Sequence, residues 1–429
     1  MKNNVKNLIE FIDHSPSCFH VIENARKQFL EHGFTELKEK EYWNLEEGKS
    51  YFVTRNGSSM IAFHLPKKDF QGFHIVASHS DSPTYRIKEQ PEMSVEKHYT
   101  KLNIERYGGM IPETWFDRPL SVAGRIIIEE NGQIKDQLVN IDRDLMIIPN
   151  LAIHMSRSSN ESKQLNPQKD LLPLCGGNLT KDGFEEMIAK ESGVEKEDIL
   201  SYDLFLYNRM RGTTLGINEE FVAAPKLDDL ECAYSSIEGM LNAKLSKDYV
   251  TVCAVFDNEE VGSGTKQGAG STFFPEVLKR ISYLCGKNEE EYYMAVADSF
   301  MLSADNAHAV HPNYQDKTDP TNRPYINEGI VLKYNASQKY TTDANSAALV
   351  KYLCKKEKIK CQVFFNRSDM LGGSTLGNIL TGQVSIKAAD IGLPQLSMHS
   401  TYETAGCKDL DDMITLMRSF YELGKEVQI

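Results

Sequence analysis

The pattern of hydrophobic and polar positions changes twice along the chain and divides it into three stretches. Towards both ends, short apolar runs such as GFHIVAS at 72–78 and YVTVCAVF at 249–256 alternate with longer segments such as LECAYSSIEGMLNA at 230–243. Short apolar runs are typical of buried strands, and the longer segments are typical of helices that cover a sheet. This alternation predicts an α/β fold with a mostly parallel sheet flanked by helices.

The middle stretch, from residue 89 to residue 221, has a different pattern. Hairpins and polar loops predominate there, and the clearest hairpin, GRIIIEENGQIKDQLVNI, turns at Asn131–Gly132. Asn-Gly is a preferred two-residue hairpin turn because both residues tolerate a positive φ. Since strands and helices scarcely alternate here, we predict a β-rich insert at 89–221 in a domain formed by residues 1–88 and 222–429.

Local signals assign several individual elements. HSPSCFHVIENARKQFLEHGF predicts a helix with Ser15 as its cap and Gly33 at its end. YFVTRNGSSMIAFHL predicts a hairpin that turns at Asn56–Gly57. YYMAVADSF at 292–300 predicts a strand, and ITLMRSFYELGKEV predicts the last helix.

Composition narrows the class of protein. The chain has 429 residues, 41% of them hydrophobic and 25% charged, which fits a globular protein of two domains. Its formal net charge of −13 argues against a nucleic-acid partner, which would require a basic face. No apolar run has the length of a signal peptide or a membrane helix, so we expect no membrane partner. The eight cysteines form no CxxC motif, which favours a reduced, cytoplasmic protein.

Acidic and imidazole side chains recur where predicted strands end, and sites of open α/β sheets form at such ends. The candidates are His79 and Asp81 in HSDSP, Asp228 and Asp229 in KLDDL, Glu259 and Glu260 in DNEEVG, Asp305, His308 and His311 in SADNAHAVHP, and His399 in PQLSMHS. Carboxylate and imidazole without thiolate are the ligands of hydrolytic zinc, manganese or cobalt sites. One side chain from each of these five motifs (a His, an Asp, a Glu, an Asp and a His) would suit two divalent ions that share a carboxylate. One of the two adjacent glutamates would then be left to act as a general base.

Each motif taken alone also has an ordinary structural explanation. A neighbouring His and Asp are usually on the surface or paired in a core, and adjacent glutamates usually lie on a solvated face. The prediction of a metal site therefore depends on five candidates arriving together at strand ends. The pattern by itself does not assign a reaction.

A family resemblance adds to this interpretation. The stretches ASHSDSP, TWFDRPLSVAGR, LAIHM, KLDDL, DNEEVGS, SADNAHAVHPNY, NRP, GSTLG and PQLSMHS occur in this order between about residue 77 and residue 400. In these motifs the chain resembles the aspartyl aminopeptidase and vacuolar aminopeptidase I family of dinuclear metallo-exopeptidases. The resemblance implies a zinc-exopeptidase-like catalytic domain interrupted by a dimerisation domain, which would be the insert.

The resemblance also implies roles for individual residues. The metal ligands would be His79, Asp228, Glu260, Asp305 and His399, with Asp228 shared between two ions. Glu259 would be the general base that takes a proton from a water bridging the metals. Asp81 would orient His79, and His308 would steady the carbonyl or the tetrahedral intermediate. The two ions would be zinc, with manganese or cobalt as alternatives.

For substrate and assembly, the resemblance implies a pocket and an oligomer. Lys333, Tyr340 and Met398 would line the substrate pocket, and His154 would reach the active site of a neighbouring subunit. Relatives form dodecamers built from dimers, so a homo-oligomer is expected. The substrates would be peptides with a free N-terminus, from which one residue, acidic or neutral, is removed. The choice between the two stays open because KLDD replaces the commoner RLDN and because the sequence around IPETW departs from the acid-specific branch.

Other functions fit parts of the same sequence. A deacylase or deamidase could use the same dinuclear scaffold and would accept acylated amines. Nucleotide binding through GSGTKQGAGS is disfavoured because the GK[ST] ending of a phosphate-binding loop is missing. An inactive shell protein is disfavoured because all five ligand candidates and the base are present.

Overall fold

The computed structural model describes residues 2–155, 164–178 and 182–427. Its α-helices, in chain order, are α1 (Lys2–Asp13), α2 (Cys18–Glu31), α3 (Pro167–Asp170), α4 (Gly183–Ser192), α5 (Leu227–Leu241), α6 (Phe273–Leu284), α7 (Glu289–Ala297), α8 (Ala344–Glu357), α9 (Leu376–Gln383) and α10 (Cys407–Tyr421). Among these described residues, no helix combines the length and the apolar character that crossing a bilayer requires.

Twenty strands form three sheets in the described part of the chain. In chain order they are β1 (Thr35–Leu37), β2 (Lys49–Arg55), β3 (Ser59–Leu65), β4 (Phe73–His79), β5 (Thr84–Val95), β6 (Tyr99–Tyr107), β7 (Leu120–Glu130), β8 (Gln133–Asn140), β9 (Leu174–Gly176), β10 (Ile199–Asn208), β11 (Thr213–Leu215), β12 (Phe221–Ala224), β13 (Val250–Phe256), β14 (Phe300–Ala304), β15 (Ala307–His308), β16 (Ile330–Tyr334), β17 (Cys361–Phe365), β18 (Lys387–Gly392), β19 (Pro394–Leu396) and β20 (Glu403–Gly406).

The largest sheet has nine strands in the order β1-β2-β3-β13-β4-β14-β18-β16-β17. Its centre is parallel, because β13, β4, β14 and β18 pair in parallel. Both faces are covered, and successive side chains of β4 alternate between two hydrophobic clusters: Val76 lies in one, and Ile75 and Ala77 lie in the other. The expected α/β fold with helices on both faces is therefore confirmed.

The stretch between β4 and α5 forms the other two sheets with help from the C-terminal part. Six strands in the order β8-β7-β10-β5-β6-β9 pair antiparallel throughout and bury their own hydrophobic cluster. Five short strands, β11-β12-β20-β19-β15, form the third sheet. The division at residues 88 and 221 stays a prediction; strands β5 and β12 run across those two positions.

Most local predictions are confirmed. Both Asn-Gly turns close hairpins, with φ of 59° and 65° at Asn56–Gly57 and of 54° and 75° at Asn131–Gly132. Helix α2 ends before Gly33, as expected, but Ser17 rather than Ser15 is its N-cap residue. Residues 156–163 and 179–181 of the predicted insert lie outside the described residues.

The prediction of a strand over 292–300 is wrong. Residues Glu289–Ala297 form helix α7, and the strand begins only at Phe300. The physical reason is a capping box, in which the Asn288 side chain accepts from the Glu291 amide and the Glu291 side chain accepts from the Asn288 amide. These two bonds satisfy amides that would otherwise lack a partner in the first helical turn, and they outweigh the strand preference of the two tyrosines that follow.

Candidate metal centre

Three adjacent strands of the large sheet bring acidic and imidazole side chains to one edge. His79 is the last residue of β4, Glu259 and Glu260 lie in the turn after β13, and Asp305 directly follows β14. Because β13, β4 and β14 are neighbours and parallel, their carboxyl ends meet, and Phe256 at the end of β13 pairs with His79. The topology of the sheet therefore places residues that are far apart in the sequence at one site.

Two further candidates come from outside these strands. Asp228 lies at the start of α5 with a non-helical conformation (φ −82°, ψ 108°), and its peptide bond to Asp229 is cis. His399 lies in the loop between β19 and β20 with φ of +66°. The buried carboxylate of Glu403 accepts from the Asp228 amide (2.9 Å) and from the His399 amide (2.7 Å), which ties both candidates together. The Ile111 amide of the β-rich stretch donates to the His399 carbonyl (3.0 Å).

The candidate ligand atoms fall into three overlapping groups. Two of these share the carboxylate of Asp228, and the third contains His79, Glu259 and Glu260. We call His79, Asp228, Asp229 and Asp305 the first ligand group, and Asp228, Glu260 and His399 the second ligand group; within each, one potential ligand atom per residue lies within 4.8 Å of the others. Asp228 Oδ1 is 3.5 Å from His79 Nε2, and Asp228 Oδ2 is 3.3 Å from His399 Nε2. Glu260 Oε1 is 3.3 Å from His399 Nε2. Each oxygen of Asp228 thus faces a different group.

The donor set fits divalent metal ions. Among the described residues, Asp228 Oδ1, Asp229 Oδ1 and Glu260 Oε1 are buried carboxylate oxygens without a hydrogen-bond donor. An unpaired buried carboxylate is unfavourable in proteins unless a proton, a cation or a metal compensates it. Buried oxygen and imidazole atoms that converge without donors are the arrangement that a divalent cation requires.

Electrostatics support the same interpretation. Burial raises the pKa of Glu259 well above its ordinary range and that of Glu260 to about 7. Burial alone would also raise the pKa of Asp228, but the neighbouring imidazoles of His399 and His79 hold it below its ordinary value. Burial lowers the pKa of His399, whereas the neighbouring carboxylates of Asp228 and Glu260 raise it to about 11. The cluster therefore demands positive charge, which protons or metal ions can supply.

Asp81 connects His79 with the two glutamates. The Nδ1 atom of His79 lies 3.0 Å from the Asp81 carbonyl oxygen, so Nδ1 carries the proton and Nε2 is free to act as a ligand. Asp81 Oδ1 is 3.4 Å from the same ring nitrogen. The carboxylate accepts from the amides of Glu259 and Glu260, both at 3.1 Å. Asp81 therefore contacts both the imidazole and the turn that follows β13.

Of the four other residues predicted to act on the substrate side, Lys333 contacts the first ligand group. The buried Lys333 donates to the Asp305 carbonyl (2.7 Å), and its Nζ lies 3.5 Å from Asp305 Oδ1 and 5.2 Å from the centre of the Tyr340 ring. His308 is exposed on β15, three residues after Asp305, and Met398 is half-buried beside His399. Their roles stay predictions.

His154 lies elsewhere, exposed in a single 3-10 turn (Ile153–Met155) of the β-rich stretch. Among the contacts of the described residues, none joins His154 to either ligand group. Its predicted action across a subunit boundary stays a prediction.

Three residues at the site were not assigned a role from the sequence. Asp229 was among the acidic candidates in KLDDL, but the ligand set that the family resemblance implies includes only its neighbour Asp228. Glu403 follows His399 by four residues, yet its role depends on contacts with distant backbone. Tyr107, whose hydroxyl donates to Asp81 Oδ2 (2.7 Å), comes from strand β6 and had no sequence signal.

Imidazole and carboxylate side chains that converge in overlapping groups at the edge of an α/β sheet are typical of a metal-dependent hydrolase. Comparison with known families makes this class specific. The family model described as "Aminopeptidase I zinc metalloprotease (M18)" matches residues 11–421, and the chain belongs to this family. It is an M18 zinc aminopeptidase and therefore a hydrolase, as the sequence motifs predicted.

Individual relatives agree over nearly the whole chain. A "Probable M18 family aminopeptidase 2" of Clostridium novyi is 46% identical over 437 residues, which cover 99% of this chain and all of the relative. The solved structure described as the Ape4 and Nbr1 complex superimposes with a TM-score of 0.95 at 37% identity, covering 98% of this chain and 85% of that chain. The S. cerevisiae mApe1 dodecamer superimposes with a TM-score of 0.85 at 26% identity, covering 98% and 97%.

Proposed function

We propose that this M18 aminopeptidase uses two divalent ions to remove one N-terminal residue, acidic or neutral, from peptides with a free α-amine. The observation that carries the proposal is the overlap of the two ligand groups at Asp228, whose two oxygens face His79 and His399 at 3.5 and 3.3 Å. A shared carboxylate is what two closely spaced ions require.

In this proposal His79, Asp228 and Asp305 hold one ion, and Asp228, Glu260 and His399 hold the other. Zinc is the expected metal, with manganese or cobalt as alternatives, because the donors are imidazole nitrogens and carboxylate oxygens. When bound, the two ions supply Lewis acidity to the scissile carbonyl and lower the pKa of the attacking water.

Glu259 is the proposed general base. Its carboxylate forms the third group with His79 and Glu260, with one potential ligand atom of each residue within 4.8 Å of the others, and it lies outside the first and second ligand groups. Its amide is held by Asp81 Oδ1 at 3.1 Å, which fixes the side chain at the edge of the cluster. From there Glu259 takes a proton from the attacking water and passes it to the leaving amine.

The remaining predicted residues act on position and substrate. Asp81 keeps the His79 ring in the tautomer that leaves Nε2 free. His308 steadies the carbonyl as it becomes tetrahedral. Lys333, Tyr340 and Met398 shape the pocket for the N-terminal side chain.

The proposal includes a homo-oligomer of dimers up to a dodecamer, in which His154 reaches a neighbouring subunit. The S. cerevisiae mApe1 structure is described as a dodecamer. In the β-rich stretch, Leu151, Ile153 and Met155 beside His154 are exposed to 51%, 48% and 77%, and adjacent exposed apolar side chains favour a protein interface. A reducing, cytoplasmic location belongs to the same proposal and is supported by eight unpaired cysteines.

The decisive experiment measures hydrolysis of peptides that begin with Asp, Glu or Leu. Protein stripped of metal by a chelator is assayed alone and after zinc, manganese or cobalt is added back. We expect activity only after metal is restored, and the preferred N-terminal residue identifies the substrate class. The same peptides with an acetylated N-terminus should resist hydrolysis; cleavage of the acetylated forms would instead identify a deacylase.

A further inference from the structure

Tyr107 joins the β-rich stretch to the candidate metal centre. It is the last residue of β6, and its ring packs edge-on against Phe205, with centroids 5.8 Å apart. Its hydroxyl donates to Asp81 Oδ2 (2.7 Å) and accepts from Asn258 Nδ2 (2.9 Å). One hydroxyl therefore contacts both the loop after β4 and the turn after β13.

Asp81 transmits this contact to the two glutamates. Its side chain is buried, Oδ1 accepts from the Glu259 amide, and Oδ2 accepts from the Glu260 amide. A carboxylate with one amide on each oxygen could still tilt between its partners, and the short bond from Tyr107 to Oδ2 removes that freedom. The direction of the carboxylate in turn sets the backbone positions of Glu259 and Glu260.

Asn258 receives the second contact. It has φ of +65°, and its Oδ1 accepts from Thr265 Oγ1 and Gln267 Nε2, both at 2.7 Å. These two donors fix the orientation of the amide, so Nδ2 points to the Tyr107 hydroxyl. Through Asp81 and Asn258, Tyr107 thus holds three consecutive residues, 258–260.

We propose that Tyr107 is a positioning residue of the aminopeptidase reaction. Its hydroxyl holds the 258–260 turn so that Glu259 faces the substrate and Glu260 faces its metal. The inference rests on the proposed function, in which these glutamates are base and ligand. It also gives the β-rich stretch a part in catalysis within one chain, in addition to its predicted part in dimerisation.

The test compares Tyr107→Phe with Tyr85→Phe. Tyr85 is a matched control because it lies on the neighbouring strand β5, is 1% exposed, and has a hydroxyl without a hydrogen-bond partner among the described residues. Each variant is loaded with zinc, and zinc retention is measured by competition with a chelator. The kcat and KM at saturating zinc, the absorption spectrum of the cobalt form and the melting temperature of the metal-free protein are also recorded.

For Tyr107→Phe we expect zinc affinity and kcat to fall roughly ten- to hundredfold, with KM and the metal-free melting temperature close to those of wild type. The cobalt spectrum should shift, because the Glu260 ligand is displaced. Tyr85→Phe should match wild type in every measurement. Zinc affinity and kcat within twofold of wild type would overturn the proposal, and so would equal losses in the two variants or a fall in the metal-free melting temperature that accounts for the loss. If wild type itself bound no zinc or cleaved no peptide, the proposed function would fail before any variant was compared.

Discussion

The two ligand groups share Asp228 but differ in their surroundings. In the first group His79 ends a fully buried strand, its side chain is 1% exposed, and Asp305 directly follows the neighbouring strand. In the second group the His399 side chain is 32% exposed and lies on a loop. One group is therefore built on the sheet, and the other is completed by a segment that reaches the sheet from the C-terminal part.

The difference shows two ways of fixing a ligand. The parallel strands fix His79 and Asp305 through their backbone ladder, so the positions of these residues follow from the fold. His399 has a left-handed conformation that costs a non-glycine residue of order 1–3 kcal/mol. Hydrogen bonds to Glu403 and Ile111 keep it there. We therefore expect a tightly held ion in the first group and a more exchangeable ion in the second.

The largest effect on metal binding and turnover is expected from a change in Asp228, the residue that both groups share. Asp228→Asn should lose most of both ions and all metal-dependent turnover, because one carboxylate oxygen faces each group. Elemental analysis measures the loss of the ions, and an assay of peptide hydrolysis measures the loss of turnover. Asp257→Asn is the matched control, since Asp257 is a buried acid at the end of β13 outside both groups. Retention of both ions by Asp228→Asn would contradict the shared site.

A smaller loss is expected when the proposed base is changed and the ligands are kept. Glu259→Gln should lower turnover by about 10²–10⁴-fold, because the amide cannot accept the proton from water. Metal content should remain that of wild type, in contrast to Glu260→Ala, which removes a ligand of the second group. Normal turnover by metal-loaded Glu259→Gln protein would exclude the role of Glu259.

It should also be possible to remove the ion of one group while the ion of the other group stays bound. His399→Ala should lose the ion of the second group and keep that of the first, because His79 and Asp305 are untouched. For wild type diluted into a chelator, we expect release in two phases, the faster one missing from His399→Ala. Single-phase release of both ions from wild type would show that exposure does not set the order.

The smallest expected effect concerns stability and tests burial alone. It involves a buried histidine on β4, the strand that ends at His79, and this histidine is not a ligand candidate. His74, five residues before His79, is buried and stacks on Tyr249 (3.9 Å), and burial lowers its pKa from 6.5 to about 3. The unfolded chain takes up the proton below pH 6.5 and the folded chain does not, so stability is lost as the pH falls from 6.5 towards 3. His74→Phe should remove about 2 kcal/mol of the loss between pH 7 and pH 5. Urea unfolding of the metal-free protein measures this.

The exposed His98 provides the control for that experiment. His98→Phe should leave the difference in unfolding free energy between pH 7 and pH 5 as it is in wild type. If His74→Phe also left the difference unchanged, burial of His74 would not be responsible for acid sensitivity.

Much of the sheet could be predicted from the sequence, because its central strands are short apolar runs that end in polar motifs. Residues 72–81 contain both the strand β4 and the ligand candidate His79, and residues 249–260 contain β13 and both glutamates. The Asn-Gly hairpins were predictable for the same reason, since the turn residues are local. Topology then brings together the five side chains that the motifs had singled out.

What could not be predicted depends on contacts between distant residues. Glu403 reaches the Asp228 amide across 175 positions, and Tyr107 reaches Asn258 across 151. No local pattern reports such bonds, and a buried glutamate in STYET has the same sequence appearance as a surface one. The strand predicted at 292–300 failed for a different reason: the capping signal at Asn288 is local, but the prediction followed the apolar and tyrosine content of the segment alone.

The bond from the Ile111 amide to the His399 carbonyl limits how far the β-rich stretch can be shortened by deletion. If residues 89–221 were replaced by a short linker, the shortened chain would retain every proposed metal ligand. His399 would nevertheless lose the Ile111 amide and keep only its bond to Glu403. The β-rich stretch therefore cannot be removed as a unit without effect on the metal centre. A shortened enzyme would have to keep strand β6 and the turn that follows it.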